Sequence, residues 1–173
     1  MINKEWNGLL KILEIEHVSQ DGNVLWSATN MYNVFHLAGE EFLLNAVFKG
    51  GTTNTYIPEN YYFGLDNRTS ISANNIISNL SGEPSTNGYA RIPVSSTGVF
   101  NVTLQSSHYR AEGPILSFSA SGGAWGPVRN LFLTTQVNNS GVLISSVSLG
   151  QVITVSNGEA INMRMGLSLR DCS

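Results

Sequence analysis

The sequence predicts a mainly β protein, an antiparallel β-sandwich of jelly-roll-like type with one short helix in the N-terminal third. Three observations lead to this prediction. Short segments of alternating apolar and polar residues are separated by turn sequences rich in Gly, Asn, Asp and Ser. Of the 173 residues, 42% are hydrophobic, only 12% are charged and 17 are Gly, a composition that suits strands and turns better than long helices. Strands do not alternate with helices along the chain, as a parallel α/β fold requires.

The first predicted element is a hairpin. Its first strand runs from Leu9 to Val18, with Leu13 and Ile15 on one face and two glutamates on the other, although Lys11 falls on the apolar side. The turn that follows contains Asp-Gly, a pair that tolerates the positive φ angles of a tight hairpin. The second strand runs from about Val24 to Ala28.

The domain organisation follows from the length of the chain. A chain of 173 residues can bury a core without help from a disulfide or a metal. We expect a single compact domain overall, in which residues 31–173 form the β-sandwich. Residues 1–30 are expected to form an N-terminal hairpin segment that contacts partners. No linker or internal repeat divides the chain further.

The segment from His36 to Phe48 is the one good helix candidate. Leu37, Leu44 and Phe48 give it an apolar side, and two glutamates lie in its early turns, where the helix dipole favours them. A Gly-Gly pair then predicts its end. Gly39 inside the segment costs up to about 1 kcal/mol relative to Ala. The helix is therefore expected to depend on packing its apolar side over one end of a sheet.

The middle of the chain predicts two strands and a long polar connection. Tyr61 to Leu65 is the first strand. Ile76 to Leu80 is a candidate for one short helical turn, and Gly82 to Gly88 has the residues of a surface loop. Tyr89 to Val94 is the second strand. It contains Pro93, which cannot donate to a ladder, so we expect the strand at a sheet edge or Pro93 at the end of the strand.

The second half of the chain alternates more clearly, and its last strand has the strongest pattern. There, apolar residues at every second position from Ile161 to Leu169 share one face, which predicts one buried face. The predicted strands are Phe100–Gln105, Leu116–Ala120, Val128–Thr134, Val142–Leu149, Gln151–Val155 and Ile161–Arg170.

Charge and cysteine content argue against several classes of protein. The formal net charge is -3 and the 9 basic residues are scattered singly, so no basic stripe predicts nucleic-acid binding. Cys172 is the single cysteine, which predicts neither an intrachain disulfide nor a metal cluster. Met1 to Leu13 contains charged residues and no continuous apolar stretch, which predicts neither a signal peptide nor a membrane span and favours synthesis in a cytosol.

The residues that could carry catalysis do not form a recognised pattern. His17, His36 and His108 are far apart and lack metal-ligand spacing. His36 and Glu40 could share a helix face and bind a metal, but a helix-start histidine beside a surface acid is the favoured interpretation. Glu40 and Glu41 would point about 100° apart on a helix, so they are a poor acid–base pair. No Gly-x-Ser-x-Gly sequence is present. The sequence therefore predicts no catalytic, cofactor-binding or metal-binding residue, no cofactor and no enzyme.

Two further groups of residues have a structural and a functional interpretation. Asp66, Asn67 and Thr69 could lend oxygens to calcium, but a turn in which Asp and Asn bond the backbone is favoured. Cys172 lies close to an arginine and could be reactive, but an inert terminus is favoured.

The aromatic residues could also form a binding platform. Trp125 follows a Gly-Gly turn, and we favour a role in covering the end of the sandwich over an exposed contact for a partner or a sugar. Tyr56, Tyr61 and Tyr62 could form a carbohydrate platform. Tyr61 and Tyr62 are adjacent in a strand and point to opposite faces, so they cannot both line one.

An ordered series of short segments runs from about Asn33 through most of the chain. The segments are Asn33–Phe48 before Tyr61–Leu65, Gly88-Tyr89-Ala90-Arg91 after a Gly/Pro loop, Leu116–Ala120 leading into Gly123–Val128, Gly141-Val142-Leu143, Val152–Val155 and Asn157-Gly158-Glu159. This series resembles a family of bacteriophage virion proteins found among head-decoration and tail-fibre-like components. The order of the segments carries the resemblance, since each one alone is a weak signal.

The resemblance implies a structural role in a virion, because the family has no catalytic residues to transfer. The first expectation is a decoration or cement protein that binds the outer capsid lattice, with the major capsid protein as its partner. The alternative is a tail, neck or baseplate component that links or forms a receptor-binding fibre, with neighbouring tail proteins as partners. A carbohydrate-binding module in host recognition is a third possibility. We expect a homo-oligomer, for which analogy between folds favours a trimer, located in the virion after assembly in the bacterial host cytoplasm.

Overall fold

The computed structural model describes residues 6–48, 57–105 and 108–171. Within these residues the chain forms two five-stranded antiparallel sheets that enclose a common apolar core, one α-helix and one short 3-10 turn. The elements are β1 (Trp6–Val18), β2 (Val24–Tyr32), β3 (Val34–Phe35), α1 (Leu37–Phe48), β4 (Asn60–Asp66), the 3-10 turn (Ile77–Asn79), β5 (Ile92–Ser95), β6 (Asn101–Gln105), β7 (His108–Ser119), β8 (Trp125–Thr134), β9 (Leu143–Val155) and β10 (Ala160–Asp171).

The strand order confirms the predicted β-sandwich. The first sheet has the order β2-β1-β10-β7-β6, and the second sheet has the order β3-β9-β8-β4-β5. In both sheets a strand from the start of the chain pairs with one from the end, β1 with β10 and β3 with β9. In each sheet, early and late parts of the chain therefore lie side by side. No helix of the described part is long and apolar enough to cross a membrane.

The first hairpin is an integral part of the first sheet, because β1 lies between β2 and β10. The register shifts between Ile12 and Glu14, which marks a β-bulge. Ile12 and Ile15 are buried in the core. Leu13, which the regular pattern placed on the face of Ile15, instead lies beside Gly166. That detail of the prediction is wrong because the bulge changes which residues point inward.

The apolar core lies between the two sheets and draws on nearly every strand. The best-buried side chains of the first sheet come from the strands at its centre, and those of the second sheet come from β4, β8 and β9. They include Ile12, Ile15, Ile161, Met163, Phe118, Phe63, Leu65, Val128, Leu131 and Val155. This alternation of inward residues is the one the sequence predicts for the last strand.

The structure confirms the helix but not its predicted apolar side. Leu37, Leu44 and Phe48, predicted to pack on a sheet, are exposed. The side of α1 that packs on the sandwich instead contains Gly39, which is buried, and Phe42, which contacts the core. Small residues let this side approach the sheet closely, so the larger apolar residues are left facing outward.

Gly39 is required by the close contact between α1 and β9. A Cβ atom at Gly39 would lie 2.3 Å from the carbonyl oxygen of Ile144. The N–H of His36, just before the helix, donates to the same oxygen at 3.0 Å. Gly39, which lowers the helix propensity of this segment, is therefore the residue that allows α1 to pack closely on β9.

Most strands differ from their predicted bounds by a few residues, and β3 was not predicted. β5 begins at Ile92 and is an edge strand, which is the first of the two alternatives predicted from Pro93. β7 begins earlier than predicted, at His108. A register shift against β10 places Gly113 and Pro114 in a bulge, and this bulge interrupts the regular alternation on which the prediction relied. The two predicted strands after Val142 are one strand, β9, which continues through Gly150 at a φ of 72°.

Candidate functional site

The three histidines lie in different parts of the fold. The Nε2 of His17 lies 2.8 Å from a carboxylate oxygen of Glu159. His36 is fully buried, and its Nε2 shares a hydrogen bond of 3.0 Å with Ser146 Oγ. His108 begins β7. Among residues 6–48, 57–105 and 108–171, no group of three or more His, Cys, Asp or Glu side chains could hold a metal ion.

His36 and Glu40 do not form the metal-binding pair that their spacing allows. The His36 ring is buried against β9, whereas Glu40 is exposed. Burial lowers the pKa of His36, and the nearby backbone of Ala73 and Ser72 only partly offsets this effect. His36 is therefore a structural residue that anchors the start of α1, and it stays neutral at neutral pH.

Asp66 serves the backbone, in agreement with the favoured turn interpretation. Its buried carboxylate accepts hydrogen bonds from the N–H groups of Arg68 at 2.8 Å and Gly82 at 3.0 Å. Asn67 and Thr69 are exposed. These bonds hold the two ends of the loop after β4 together, so nothing in the geometry favours calcium over the turn.

Trp125 is a core side chain and does not form an exposed platform. It is 5% exposed, and its ring meets Tyr89 edge-on at 5.7 Å between ring centres. Tyr89 in turn stacks on Phe118 at 6.1 Å. The predicted covering role of Trp125 is confirmed, and its alternative role as an exposed sugar contact is wrong. Tyr56 and Cys172 lie outside the described residues.

The best-formed polar cluster of the described residues surrounds Arg91. Its guanidinium is buried and donates to both carboxylate oxygens of Glu83, from Nε at 2.9 Å and from Nη2 at 2.7 Å. Nη1 donates to the carbonyl oxygens of Gln136 at 3.2 Å and Asn138 at 2.8 Å. The hydrogen bonds of this one guanidinium therefore join the connection between β4 and β5 to the turn between β8 and β9.

Tyr89 completes this cluster, which we call the Arg91 latch (Arg91, Glu83 and Tyr89). The Tyr89 hydroxyl donates to Glu83 at 2.8 Å and accepts from the N–H of Leu65 at 2.8 Å. Burial raises the pKa of Tyr89, and the nearby Glu83 carboxylate raises it further. The hydroxyl therefore remains a proton donor, and every member of the latch has its partners.

The latch holds a covering layer over the outer face of the second sheet. Leu131 and Leu133 point into the central core, so Phe132 between them points to the opposite face. Residues 67–91, which we call the covering connection, bring apolar side chains onto this face. The resulting second core consists of Phe132, Leu143, Ile77 and Leu80.

The latch and the second core touch directly. The Arg91 guanidinium lies 5.1 Å above the centre of the Phe132 ring, a cation–π contact. The same ring lies so close to the backbone that a Cβ atom at Gly64 would approach it to 2.2 Å. The Phe132 ring of the second core therefore lies between the Arg91 guanidinium and the backbone at Gly64, where a larger residue would collide with the ring.

A different apolar surface has no such cover among the described residues. Leu44, Val47 and Phe48 are exposed on α1, and Val102, Leu104 and Tyr109 are exposed on β6 and β7; we call these six residues the apolar end. Phe48 is 80% exposed and Tyr109 is 64% exposed. Within each part the three side chains share one face of their element, and grouped apolar side chains at this exposure are typical of a surface that binds another molecule.

The hairpin part of the apolar end continues into a cavity between the sheets. Val102 pairs with Ala111, and Leu104 pairs with Tyr109, so these four side chains share one face of the β6–β7 hairpin. Ala111 lines a cavity of about 230 Å³ between the sheets, and Phe42 of α1 lines it from the other side. The exposed residues of the hairpin therefore continue an apolar surface that begins inside the sandwich.

Sequence reasoning missed both the latch and the apolar end. The segment from Gly88 to Arg91 was informative only as part of a resemblance, and nothing in the spacing to Glu83 indicates a buried ion pair. The apolar end had a signal in Leu44 and Phe48, but the pattern assigned these residues to packing. The close approach of Gly39, which turns them outward, is a tertiary contact that periodicity does not reveal.

The chain matches no protein-family model, no curated protein and no solved structure. The resemblance to phage virion proteins therefore stays a prediction, and the function has to be argued from this fold and its surfaces.

Proposed function

We propose that this protein is a non-enzymatic structural protein of a bacteriophage virion, most specifically a decoration or cement subunit bound to the outer capsid lattice. The apolar end is the observation that carries the proposal. A monomeric protein seldom exposes a grouped set of large apolar side chains unless they bind a partner. The ordered resemblance to virion proteins gives the class of partner.

The surface chemistry of the apolar end suits a protein partner. Of its six residues, Phe48 and Tyr109 are aromatic, the type enriched at the centre of protein interfaces, and none is charged. The whole chain has only 12% charged residues, so long-range repulsion between neighbouring copies is weak. Both features favour close packing in an assembly.

Binding would proceed by burial of the apolar end against a neighbouring capsid subunit. A stable contact of ordinary size removes about 800 Å² from each partner. Burying one large apolar side chain contributes on the order of 1.5–3 kcal/mol. Repetition of the same contact across a lattice adds avidity to a modest single affinity. The decorated capsid would gain stability because each bound copy favours the assembled state.

Copy number per virion tests the proposal. Quantitative mass spectrometry of purified virions would compare this protein with the major capsid protein. A ratio near one, or one third, per capsid subunit supports the decoration role. A few copies per virion would instead select the tail, neck or baseplate alternative, and complete absence would overturn the virion role.

Sedimentation of the purified protein tests the expected homo-oligomer. A trimer that becomes monomeric in the Phe48→Ser variant would assign the apolar end to contacts between copies of this chain. A monomer in both forms leaves the apolar end free for a capsid subunit. Ile115→Ser is the control, since Ile115 is also a large, mostly exposed apolar residue but pairs with Arg164 on β10, away from the apolar end.

A further inference from the structure

The cavity between the sheets lies beneath α1. Met165 and Ala111 of the first sheet form one wall, Leu133 and Ile144 of the second sheet form the opposite wall, and Phe42 closes it from the helix. Its volume is about 230 Å³. Native cores contain few voids larger than a water molecule, so a space of this size is a feature of this fold.

The lining is unsuited to water and to charged molecules. All described lining residues except Tyr61 and Ser96 are apolar, and none of them carries a charge. A buried water needs two to four polar partners, and apolar cavities without them stay dry. An ion would lose its hydration without finding a counter-charge. The cavity therefore suits a neutral, mostly apolar occupant.

The lining also selects a shape. Four aromatic rings, those of Phe35, Phe42, Tyr61 and Phe100, border the cavity. Phe42 and Tyr61 already meet edge-to-face, at 6.3 Å and an interplanar angle of 87°. Such an arrangement leaves ring faces and edges available for a further aromatic ring. An apolar protein cavity of about 150 Å³ is large enough for benzene, so this larger cavity has room for two fused rings.

We propose that this cavity is a binding site for a small neutral aromatic molecule, about the size of a fused two-ring system. The ring packs among the aromatic side chains, and Tyr61 and Ser96 are the described lining residues that carry a hydroxyl group. Burial raises the pKa of Tyr61, so its hydroxyl is protonated. Phe42, Phe100 and Ala111 are each half-buried, so the cavity reaches the surface between α1 and the β6–β7 hairpin. The site does not depend on the virion role.

Titration of the purified protein with indole tests the site. Indole is neutral, aromatic and bicyclic, and its binding can be followed through the methyl NMR signals of Leu133, Ile144 and Met165. We expect saturable shifts with one molecule bound per chain. At ten times the dissociation constant, we expect Tm to rise by about 3–6 °C. Absence of saturable binding up to the solubility limit of indole would overturn the proposal.

A comparison of variants tests where the ligand binds, and a comparison of ligands tests which chemistry the site accepts. Ala111→Ile fills the cavity and should weaken indole binding at least tenfold, whereas Ser117→Ile, on the solvent side of the same strand, should leave it unchanged. Circular dichroism and melting of both variants confirm that they fold. If Ala111→Ile does not fold, the Leu43→Ala variant, which enlarges the cavity, should bind the larger molecule naphthalene more tightly than the unmodified protein does. Two results would contradict a site for neutral aromatic molecules: binding of indole-5-carboxylate as tight as that of indole, or binding of n-decanol tighter than that of indole.

Discussion

The outer face of the second sheet and the apolar end both carry large apolar side chains, but only the first is covered by described residues. The covering connection lies over Phe132 and Leu143 and is fastened by the Arg91 latch. At the apolar end, Phe48 and Leu104 face outward, with no comparable loop from the described part of the chain.

The difference shows that this chain can cover an apolar sheet face with its own residues. Doing so requires 25 residues of connection, from residue 67 to residue 91, and a buried ion pair with several backbone partners. A buried pair of this kind has a large desolvation cost and is stable only when its geometry is complete. The apolar end has no such cover among the described residues, and it is the surface for which we propose a partner.

The largest expected effect comes from breaking the latch. Arg91→Met removes the guanidinium, which leaves the Glu83 carboxylate with only its bond from Tyr89 and takes the Arg91 donor from two backbone carbonyls. We expect the free energy of unfolding to fall by about 3–5 kcal/mol, measured by urea denaturation. Arg129→Met, on β8 and outside the latch, is the control and should cost much less. A loss below about 1 kcal/mol for Arg91→Met would show that the covering connection is held by the second core alone.

Gly39→Ala should have the next largest effect, by disturbing the seat of α1. The added Cβ collides with the backbone of β9 at Ile144, which cannot move aside as a side chain can. We expect a loss of about 1–3 kcal/mol in unfolding free energy, although Ala is the better helix former by up to about 1 kcal/mol. Glu41→Ala, on the exposed side of the helix, is the control. A stabilised Gly39→Ala variant would contradict the close approach.

Acidification should weaken the anchor between α1 and β9. Burial lowers the pKa of His36 below its ordinary value of 6.5, so the unfolded chain binds a proton that the folded protein does not. The stability due to neutral His36 is complete above pH 6.5. It falls as the pH drops below 6.5, by at most about 1.4 kcal/mol per pH unit.

Urea unfolding from pH 5 to pH 8 would compare the unmodified protein with the His36→Asn variant. The difference between their unfolding free energies contains the contribution of His36, because the titrating carboxylates are common to both. The advantage of the unmodified protein should shrink below pH 6.5. If the difference stays constant over this range, His36 is not the titrating group.

The smallest effect on stability is expected at the apolar end. Phe48→Ser and Leu104→Ser change side chains that are mostly exposed, so each should alter the free energy of unfolding by less than about 0.5 kcal/mol. Thermal and urea unfolding of the isolated variants would measure this. A loss above about 2 kcal/mol in either variant would mean that the side chain packs within its own chain and is not free for a partner.

The sequence predicted the sandwich well because its signals are local. Period-two alternation from Ile161 to Leu169 and the turn chemistry of Asn157-Gly158 depend on neighbouring residues only. Pro93 placed its strand at an edge for the same reason, since a missing N–H has a local consequence. Bulges were not predictable, and they moved Leu13 and Pro114 out of the regular pattern.

The surfaces could not be predicted because they depend on contacts between distant residues. Arg91 meets Gln136 and Asn138 across more than forty positions of the chain. The outward orientation of Phe48 follows from the contact of Gly39 with Ile144, which helical periodicity does not contain. The cavity beneath α1 likewise needs the spacing of both sheets and the helix. Sequence patterns indicate which residues are apolar, but only the packing determines which of them stay uncovered.

The most direct test of the central claim is the incorporation of variants into virions. Quantitative mass spectrometry would compare the Phe48→Ser/Leu104→Ser double variant with Ile115→Ser, whose side chain is equally apolar and 67% exposed. If the apolar end is the contact surface, the double variant should lose at least tenfold in incorporation and the control should lose none. The reason is that burial of each large side chain contributes on the order of 1.5–3 kcal/mol. Equal incorporation of the two variants would contradict it.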